Sequence, residues 1–348
     1  MNIKSLNRKL NKKFAGRVTA RLSDGCIVLT GELDDWNDVV DAGMTAATPH
    51  SSTHVVNDIV FTGAAEEKMH MPAIDDKALD GEKPDVLVIG GGISGCSVAR
   101  ELSRYKLSVL LIDKEADLAL GASGRNDGEV HPGVDLSKGS LKHKYIRRAN
   151  HMYEDLCREL DVPFKRTGQY ACFTHKSWLP FVSLYAKWRR DHDGIEDTCI
   201  VMGDEIRKKE PKISADVAFA LSNPSSGSVS PYNLVIAYAE NAVQNGARVS
   251  LNTAVTGMDV SGGEIKAVYT NRGTIYPREV INCAGVYSDV VAQMAQDRFF
   301  SIHPRRGTNS ILDKKTGASF HGIASIVMSQ SPVKTHTKGG GILHTMHD

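Results

Sequence analysis

Residues 85–113 read DVLVIGGGISGCSVARELSRYKLSVLLID. The apolar run at 85–89 is short and nearly continuous, the pattern of a strand buried on both faces, and a second such run occupies 108–112. CSVARELSRY between them has helical spacing, so the stretch forms a strand–helix–strand unit, and such units imply a parallel sheet. Gly90, Gly92 and Gly95 follow the first strand and open the helix. Gly90 permits a tight turn, Gly92 lets backbone approach a pyrophosphate, and Gly95 lets helix and strand pack closely. The helix N-terminus adds unpaired N–H groups and a partial positive charge for phosphates. Asp113 lies 18 residues past Gly95, at the end of the second strand. A carboxylate there accepts hydrogen bonds from both hydroxyls of a ribose and disfavours a 2′-phosphate. A lone glycine motif is a weak signal, but this one stands in the context a dinucleotide requires.

Downstream, GASGRNDGEVHPG (121–133) carries four glycines where a nicotinamide fold would continue with another helix and strand. It reads as a loop threading close to a bound ligand. VINCAGVYSD (280–289) is an apolar strand ending in small residues at Ala284 and Gly285, which again suits close approach of a ligand. A long amphipathic helix is expected over 140–160, with Leu141, Tyr145, Ala149, Met152, Tyr153, Leu156 and Leu160 recurring at helical spacing. FKRTGQYACF (164–173) reads as a strand pair, and a helix runs from Pro231 to near Gly246, proline first and glycine last. Residues 247–285 read as successive strands around a hairpin turn. Tyr232 is expected to face the core.

Upstream, residues 18–33 alternate around Asp24-Gly25 and read as a hairpin. A short amphipathic helix and a closing strand at 54–61 complete a small α/β module over 1–62, and the charged stretch 63–84 reads as a linker. The basic N-terminus lacks the apolar core of a secretory signal. It reads as a solvated helix that begins a domain or as a surface-seeking one.

Composition narrows the function classes. With 42 Lys+Arg against 41 Asp+Glu in 348 residues, the chain lacks the basic excess of a nucleic-acid binder, so no nucleic-acid partner is expected. No apolar run is long enough to span a bilayer. The six cysteines are scattered without a Cys-x-x-Cys pair, which suggests reduced thiols and a cytoplasmic location. Cys283 reads as a small buried hydrophobe rather than a redox group. The tail histidines His336, His344 and His347 fit no strong ligand spacing, so no metal is expected.

DVLVIGGGISGCSVARELSRY, VLLIDKE, GASGRNDGEVHPGVDLSKGSLKHKYIRRAN, LDVPFKRTGQYACF, GSVSPYNLVIAYAENAVQNGA, VINCAGVYSD and HPRRGTNSILDK together resemble the FAD-dependent oxidoreductases of the D-amino-acid-oxidase/glycine-oxidase superfamily. The likeness runs in order from about residue 84 and is nearest to the branch that holds the anaerobic glycerol-3-phosphate dehydrogenases and the L-2-hydroxyglutarate dehydrogenases. Residues 1–62 weakly resemble a BON module. The resemblance implies an α/β fold: a Rossmann-type FAD-binding part (about 85–164 and 233–299) interleaved with an antiparallel substrate part (about 165–232 and 300–348). It implies FAD as cofactor. Gly90, Gly92 and Gly95 would hold its pyrophosphate, and Asp113, with Lys114 beside it, the adenosine ribose. Ser123, Asn126 and Gly128 would pass the pyrophosphate and flavin. Val255 would contact adenine through its backbone, and Ala284 and Gly285 would border the pyrophosphate or ribityl chain.

Two catalytic candidates follow. His131 sits where the family's HxG reaches the flavin ring. It reads either as the base that takes a hydroxyl proton, a task an imidazole suits at neutral pH, or as a flavin-contact residue. Arg306, with Arg305 as the alternative, reads as a bidentate clamp for a carboxylate or phosphate, or as an exposed strand cation. The implied reaction is oxidation of a small anionic 2-hydroxyacid or glycerol 3-phosphate by hydride transfer to flavin N5. Electrons would pass to a quinone or redox carrier, and peripheral membrane contact is an accompanying expectation. Alternatives are an amine or amino-acid oxidase of the same fold and an interaction module. Relatives have an aromatic where Asn309 stands, and they continue past 344–348 through another glycine-rich segment. The expectation is therefore a C-terminally truncated chain that binds FAD incompletely.

Overall fold

The computed structural model describes residues 2–47, 54–64, 69–195, 197–304, 307, 321–328 and 341–342. They divide into two units, Met1–Ala122 with Tyr238–Gly307, and Ser123–Ala237 with Thr308–Asp348.

The first unit is built on the strands that the apolar runs predict. Val86–Ile89 and Val109–Ile112 pair in parallel, and every residue of both is buried. Branched side chains on both faces leave no solvent side, so each strand needs a covering layer above and below. Helix Ile93–Leu102 connects them and buries Gly95, Cys96 and Ala99. Arg248–Ser250 and Glu279–Asn282 add to the two edges, completing a four-stranded parallel sheet. An antiparallel meander, Val255–Ser261, Glu264–Thr270 and Gly273–Ile275, packs Val255, Val268 and Ile275 against Leu87, Ile89, Leu110 and Ile112. The C-terminal half of the stretch expected as linker is tied to this meander. Leu79 is buried and its N–H donates to the Arg272 carbonyl at 2.8 Å, while Arg272 Nη2 pairs with Asp76 at 3.0 Å.

The N-terminal module of this unit runs helix (Ile3–Lys13), strand (Val18–Ser23), strand (Cys26–Leu33), helix (Trp36–Ala46), strand (Val55–Phe61). Its hairpin turns at Asp24 and Gly25, both left-handed (φ 49° and 76°), the geometry that matches the strand twist. Asp35 caps the second helix by accepting from Asn37 N–H at 2.8 Å. Leu6, Leu10, Leu29, Leu33 and Val39 form the module's core. Residues 298–303 lie against the last strand: Arg298 pairs with Asp58 at 2.6 Å, and Asn57 Nδ2 meets His303 Nε2 at 3.0 Å.

The second unit holds a five-stranded sheet in the order Gly341–Ile342, Ile323–Met328, Gln169–Phe173, Phe219–Asn223, Cys199–Met202. Its pairs are antiparallel except Ile323–Met328 with Gln169–Phe173. A smaller antiparallel sheet joins Glu129–Val130, Gly227–Val229 and Phe164–Lys165. Helix Leu141–Glu159 forms where its periodicity places it, but not with the expected face inward. Leu141, Tyr145 and Met152 are exposed, and the buried positions are His143, Asn150 and Cys157. The reason is polar: Asn150 Nδ2 donates to the carbonyls of His131 (2.9 Å) and Ser225 (3.1 Å), which draws that side of the helix inward. Tyr232, expected in the core, is more than a third exposed.

Candidate functional site

In the first unit the glycine turn closes on itself too tightly for any side chain. Gly90 is left-handed (φ +113°), and a Cβ there would lie 2.2 Å from the Cys283 carbonyl oxygen. A Cβ on Gly95 would lie 1.8 Å from the Gly90 carbonyl oxygen, so the helix approaches the strand as closely as backbone permits. Gly92 is the residue before the helix and brings no capping side chain of its own. The N–H groups of that first turn are therefore oriented for an anion, as at other helix N-termini that hold phosphate.

Asp113 stands where the second strand ends. Its Oδ2 accepts from Gly91 N–H at 2.5 Å and its Oδ1 from Glu115 N–H at 2.8 Å. Each carboxylate oxygen keeps a further lone pair for a hydroxyl. Lys114 pairs with Glu115 and lies 5.2 Å over the Tyr287 ring. The strand Glu279–Asn282 ends beside the turn, with Cys283 N–H donating to the Ile89 carbonyl at 2.8 Å. Ala284 and Gly285 follow, Gly285 left-handed (φ +57°) with open space where a Cβ would point. Cys283 is only partly buried, and burial still pushes its thiol up. Val255 turns its side chain into the core, leaving its backbone as the part a ligand could touch. The structure thus gathers Gly90, Gly92, Gly95, Asp113, Ala284 and Gly285 at the ends of parallel strands. The closed turn, the helix N-terminus behind it and the strand-end carboxylate fit a dinucleotide.

The second unit gathers the other candidates around its small sheet. Asn126 Nδ2 donates to the Ser123 carbonyl at 2.7 Å, and Asn126 Oδ1 accepts from Gly128 N–H at 2.9 Å, a loop locked by its own amide. Gly128 is left-handed (φ +71°), and a Cβ there would meet the Val229 carbonyl oxygen at 2.2 Å. His131 is exposed at the edge of this sheet, its carbonyl held by Asn150. Beyond it Arg189 Nη2 donates to the Gly133 carbonyl at 2.5 Å, and Arg147 Nη1 to the Pro132 carbonyl at 3.1 Å, so the backbone after His131 is fixed from two helices.

Sequence reasoning missed Glu129. Its side chain is buried, and its Oε1 lies 3.5 Å from His131 Nδ1. The same oxygen accepts from Gln169 Nε2 at 2.8 Å and Ser226 Oγ at 3.3 Å. Burial pushes its carboxyl up, the strongest influence on it, and a charged His131 pulls it back down. A buried carboxyl with a raised pKa beside an exposed imidazole is a pair able to hold and pass a proton. Arg305, Arg306, Asn309 and the tail histidines lie outside the described residues.

Comparison with known proteins gives a consistent result. Residues 85–345 match the family DAO, FAD dependent oxidoreductase. The chain is 36% identical over 262 residues to a glycerol 3-phosphate dehydrogenase of Caloramator mitchellensis, covering 75% of this chain and 52% of that one. It is 33% identical over 227 residues to an L-2-hydroxyglutarate dehydrogenase of Indibacter alkaliphilus, covering 64% and 56%. It spans about half the length of the curated relatives it matches. Among solved structures, the dithionite-reduced L-α-glycerophosphate oxidase of Mycoplasma pneumoniae with FAD bound superposes with a TM-score of 0.56 at 27% identity, over 62% of this chain and 57% of that one. A glycine oxidase of Bacillus cereus shares the fold, with a TM-score of 0.55 at 24% identity over 60% of this chain and 57% of the other.

Proposed function

The chain belongs to the DAO family of FAD-dependent oxidoreductases, and from that premise we propose that it acts as a dehydrogenase of a small anionic 2-hydroxyacid or of glycerol 3-phosphate. The carrying observation is the closed glycine turn leading into a helix N-terminus, with Asp113 at the strand end. The substrate class draws its support from the relatives named for glycerol 3-phosphate and L-2-hydroxyglutarate.

In this reading the backbone at Gly90, Gly92 and Gly95 receives the pyrophosphate. Asp113 takes the adenosine ribose with Lys114 beside it, and Val255 offers backbone to the adenine. Ala284 and Gly285 leave room along the pyrophosphate and ribityl chain. Ser123, Asn126 and Gly128 form the loop toward the flavin. Bound FAD supplies the acceptor for a hydride from the substrate's carbinol carbon. His131 takes the hydroxyl proton, a role favoured over simple cofactor contact by the carboxylate held beside its ring. Arg306 clamps the substrate's anionic group. Electrons leave to a quinone or redox carrier, from a cytoplasmic enzyme that touches the membrane peripherally. Among the described residues no helix is long and apolar enough to cross a membrane.

The test is anaerobic mixing of the FAD-loaded protein with sn-glycerol 3-phosphate, L-2-hydroxyglutarate, glycine and sarcosine, one at a time. Bleaching of the flavin by one of the first two supports the reading. Bleaching by glycine or sarcosine alone overturns it in favour of amine oxidation.

A further inference from the structure

We propose that Glu129 is a positioning residue that fixes His131 in the tautomer carrying its proton on Nδ1, leaving Nε2 free to accept a proton from the substrate; this rests on the reading of His131 as the base.

The argument begins far from the imidazole. Thr198 Oγ1 donates to Asn223 Oδ1 at 2.9 Å, and both residues are fully buried. With its carbonyl oxygen so engaged, Asn223 presents its amide nitrogen to Gln169 Oε1 at 3.2 Å. Gln169 must then turn its own amide nitrogen to Glu129 Oε1, at 2.8 Å. A hydroxyl and two amides thus form one directed chain in which each group donates to the next. It ends on an oxygen that can only accept. Ser226 Oγ, also fully buried, donates to that oxygen as well. Directed chains of this kind polarise one another and favour negative charge at their end.

His131 Nδ1 lies 3.5 Å from the same oxygen. An acceptor fixed there favours a proton on Nδ1 and leaves the lone pair on Nε2, because the partner of one ring nitrogen sets the state of the other. The gap is long for a formed hydrogen bond, as such contacts often are before substrate closes the site. The charged groups facing the Glu129 carboxyl are His131, Asp127 and Asp135. The two aspartates oppose its ionisation and a charged His131 favours it. Arg166 does not compensate: its guanidinium is engaged by the Ser225 carbonyl at 2.6 Å and by Asn150. The carboxyl is therefore dedicated to the imidazole and to the donors that orient it.

The experiment is nitrogen-15 NMR of the histidine-labelled protein at slightly alkaline pH, with the His131 signals assigned by their loss in H131Q. It needs no turnover. In the wild type the Nδ1 signal is expected in the protonated range and Nε2 in the unprotonated range. In E129Q the ring reverts to the Nε2-protonated form that free imidazole prefers, because the acceptor facing Nδ1 is gone. E129D, which keeps a carboxylate acceptor, restores part of the wild-type tautomer signature, and Q169L shifts the tautomer ratio in the E129Q direction. An identical His131 tautomer ratio in wild type and E129Q overturns the inference, whatever the enzyme does. Wild-type flavin that neither sn-glycerol 3-phosphate nor L-2-hydroxyglutarate bleaches, with the NMR signatures as expected, instead removes the substrate reading while leaving the Glu129–His131 pair in place.

Discussion

Gly95 and Glu129 mark the extremes of what a single residue reveals. Gly95 announces itself by spacing. Its structural reason, a Cβ that would sit 1.8 Å from the Gly90 carbonyl oxygen, is the close packing the motif encodes. Gly95→Ala is expected to cost about 1–3 kcal/mol, as overpacking does, and to release FAD; thermal unfolding and flavin content after gel filtration read both. Glu129 gives no such signal. In a two-residue strand a glutamate looks like solvated surface, and its burial depends on Gln169 and Ser226, which are 40 and 97 residues away in sequence. It also has a thermodynamic signature. Its folded pKa is raised above the usual 4.5, so the folded state binds the proton more tightly than the unfolded state. The stability it contributes is fully present below the unfolded value and is lost as pH rises through the folded one. E129Q, which has no proton to lose, is expected to show a flatter dependence of stability on pH above about 4.5 than the wild type in urea titrations at stepped pH.

At the scale of elements, spacing gives away the helices and hides which face they bury. Leu141–Glu159 is helical as its periodicity requires, yet it turns Asn150 inward because His131 and Ser225 offer carbonyls there. Apolar spacing carries no information about such distant acceptors. Helix Leu179–Asp193 holds a buried ion pair, Arg189 with Asp193 at 2.7 Å, and through Arg189 grips the Gly133 carbonyl. Arg189→Ala leaves the buried Asp193 with the longer contact to Lys138 Nζ at 3.6 Å and is expected to cost about 3 kcal/mol, the low end for a broken buried pair. Hydrogen exchange should also rise across 131–134, the segment the guanidinium holds. At the N-terminal module, burial holds His303 below its usual 6.5 against the opposing pull of Asp289. A lowered histidine keeps its contribution above the unfolded pKa and loses it as pH falls, so this contact weakens on acidification below about 6.5. Faster amide exchange at 55–61 and 298–303 at pH 5.5 than at pH 7.5 would show it, beyond the intrinsic pH effect measured on the unfolded chain.

At the scale of the whole chain, the parallel sheet and its dinucleotide turn were legible because a buried strand, a glycine turn and a strand-end acid are local in sequence. The family match over 85–345 agrees with that reading. What the first 62 residues do for the rest was not legible. Their fold is local, whereas their engagement with Arg298, Ser301 and His303 joins positions more than 200 residues apart. A substrate class was suggested only by resemblance, and Arg306, on which that expectation leans, lies outside the described residues. In the proposed function, the protein removes a hydride from a carbinol carbon of an anionic substrate. The direct measurement is rapid anaerobic reduction of the FAD-loaded protein by saturating sn-glycerol 3-phosphate or L-2-hydroxyglutarate, with and without deuterium at carbon 2. We predict that one of them bleaches the flavin and that its deuterated form does so several-fold more slowly; flavin that dithionite bleaches but neither substrate does, or bleaching indifferent to deuterium, would contradict the account.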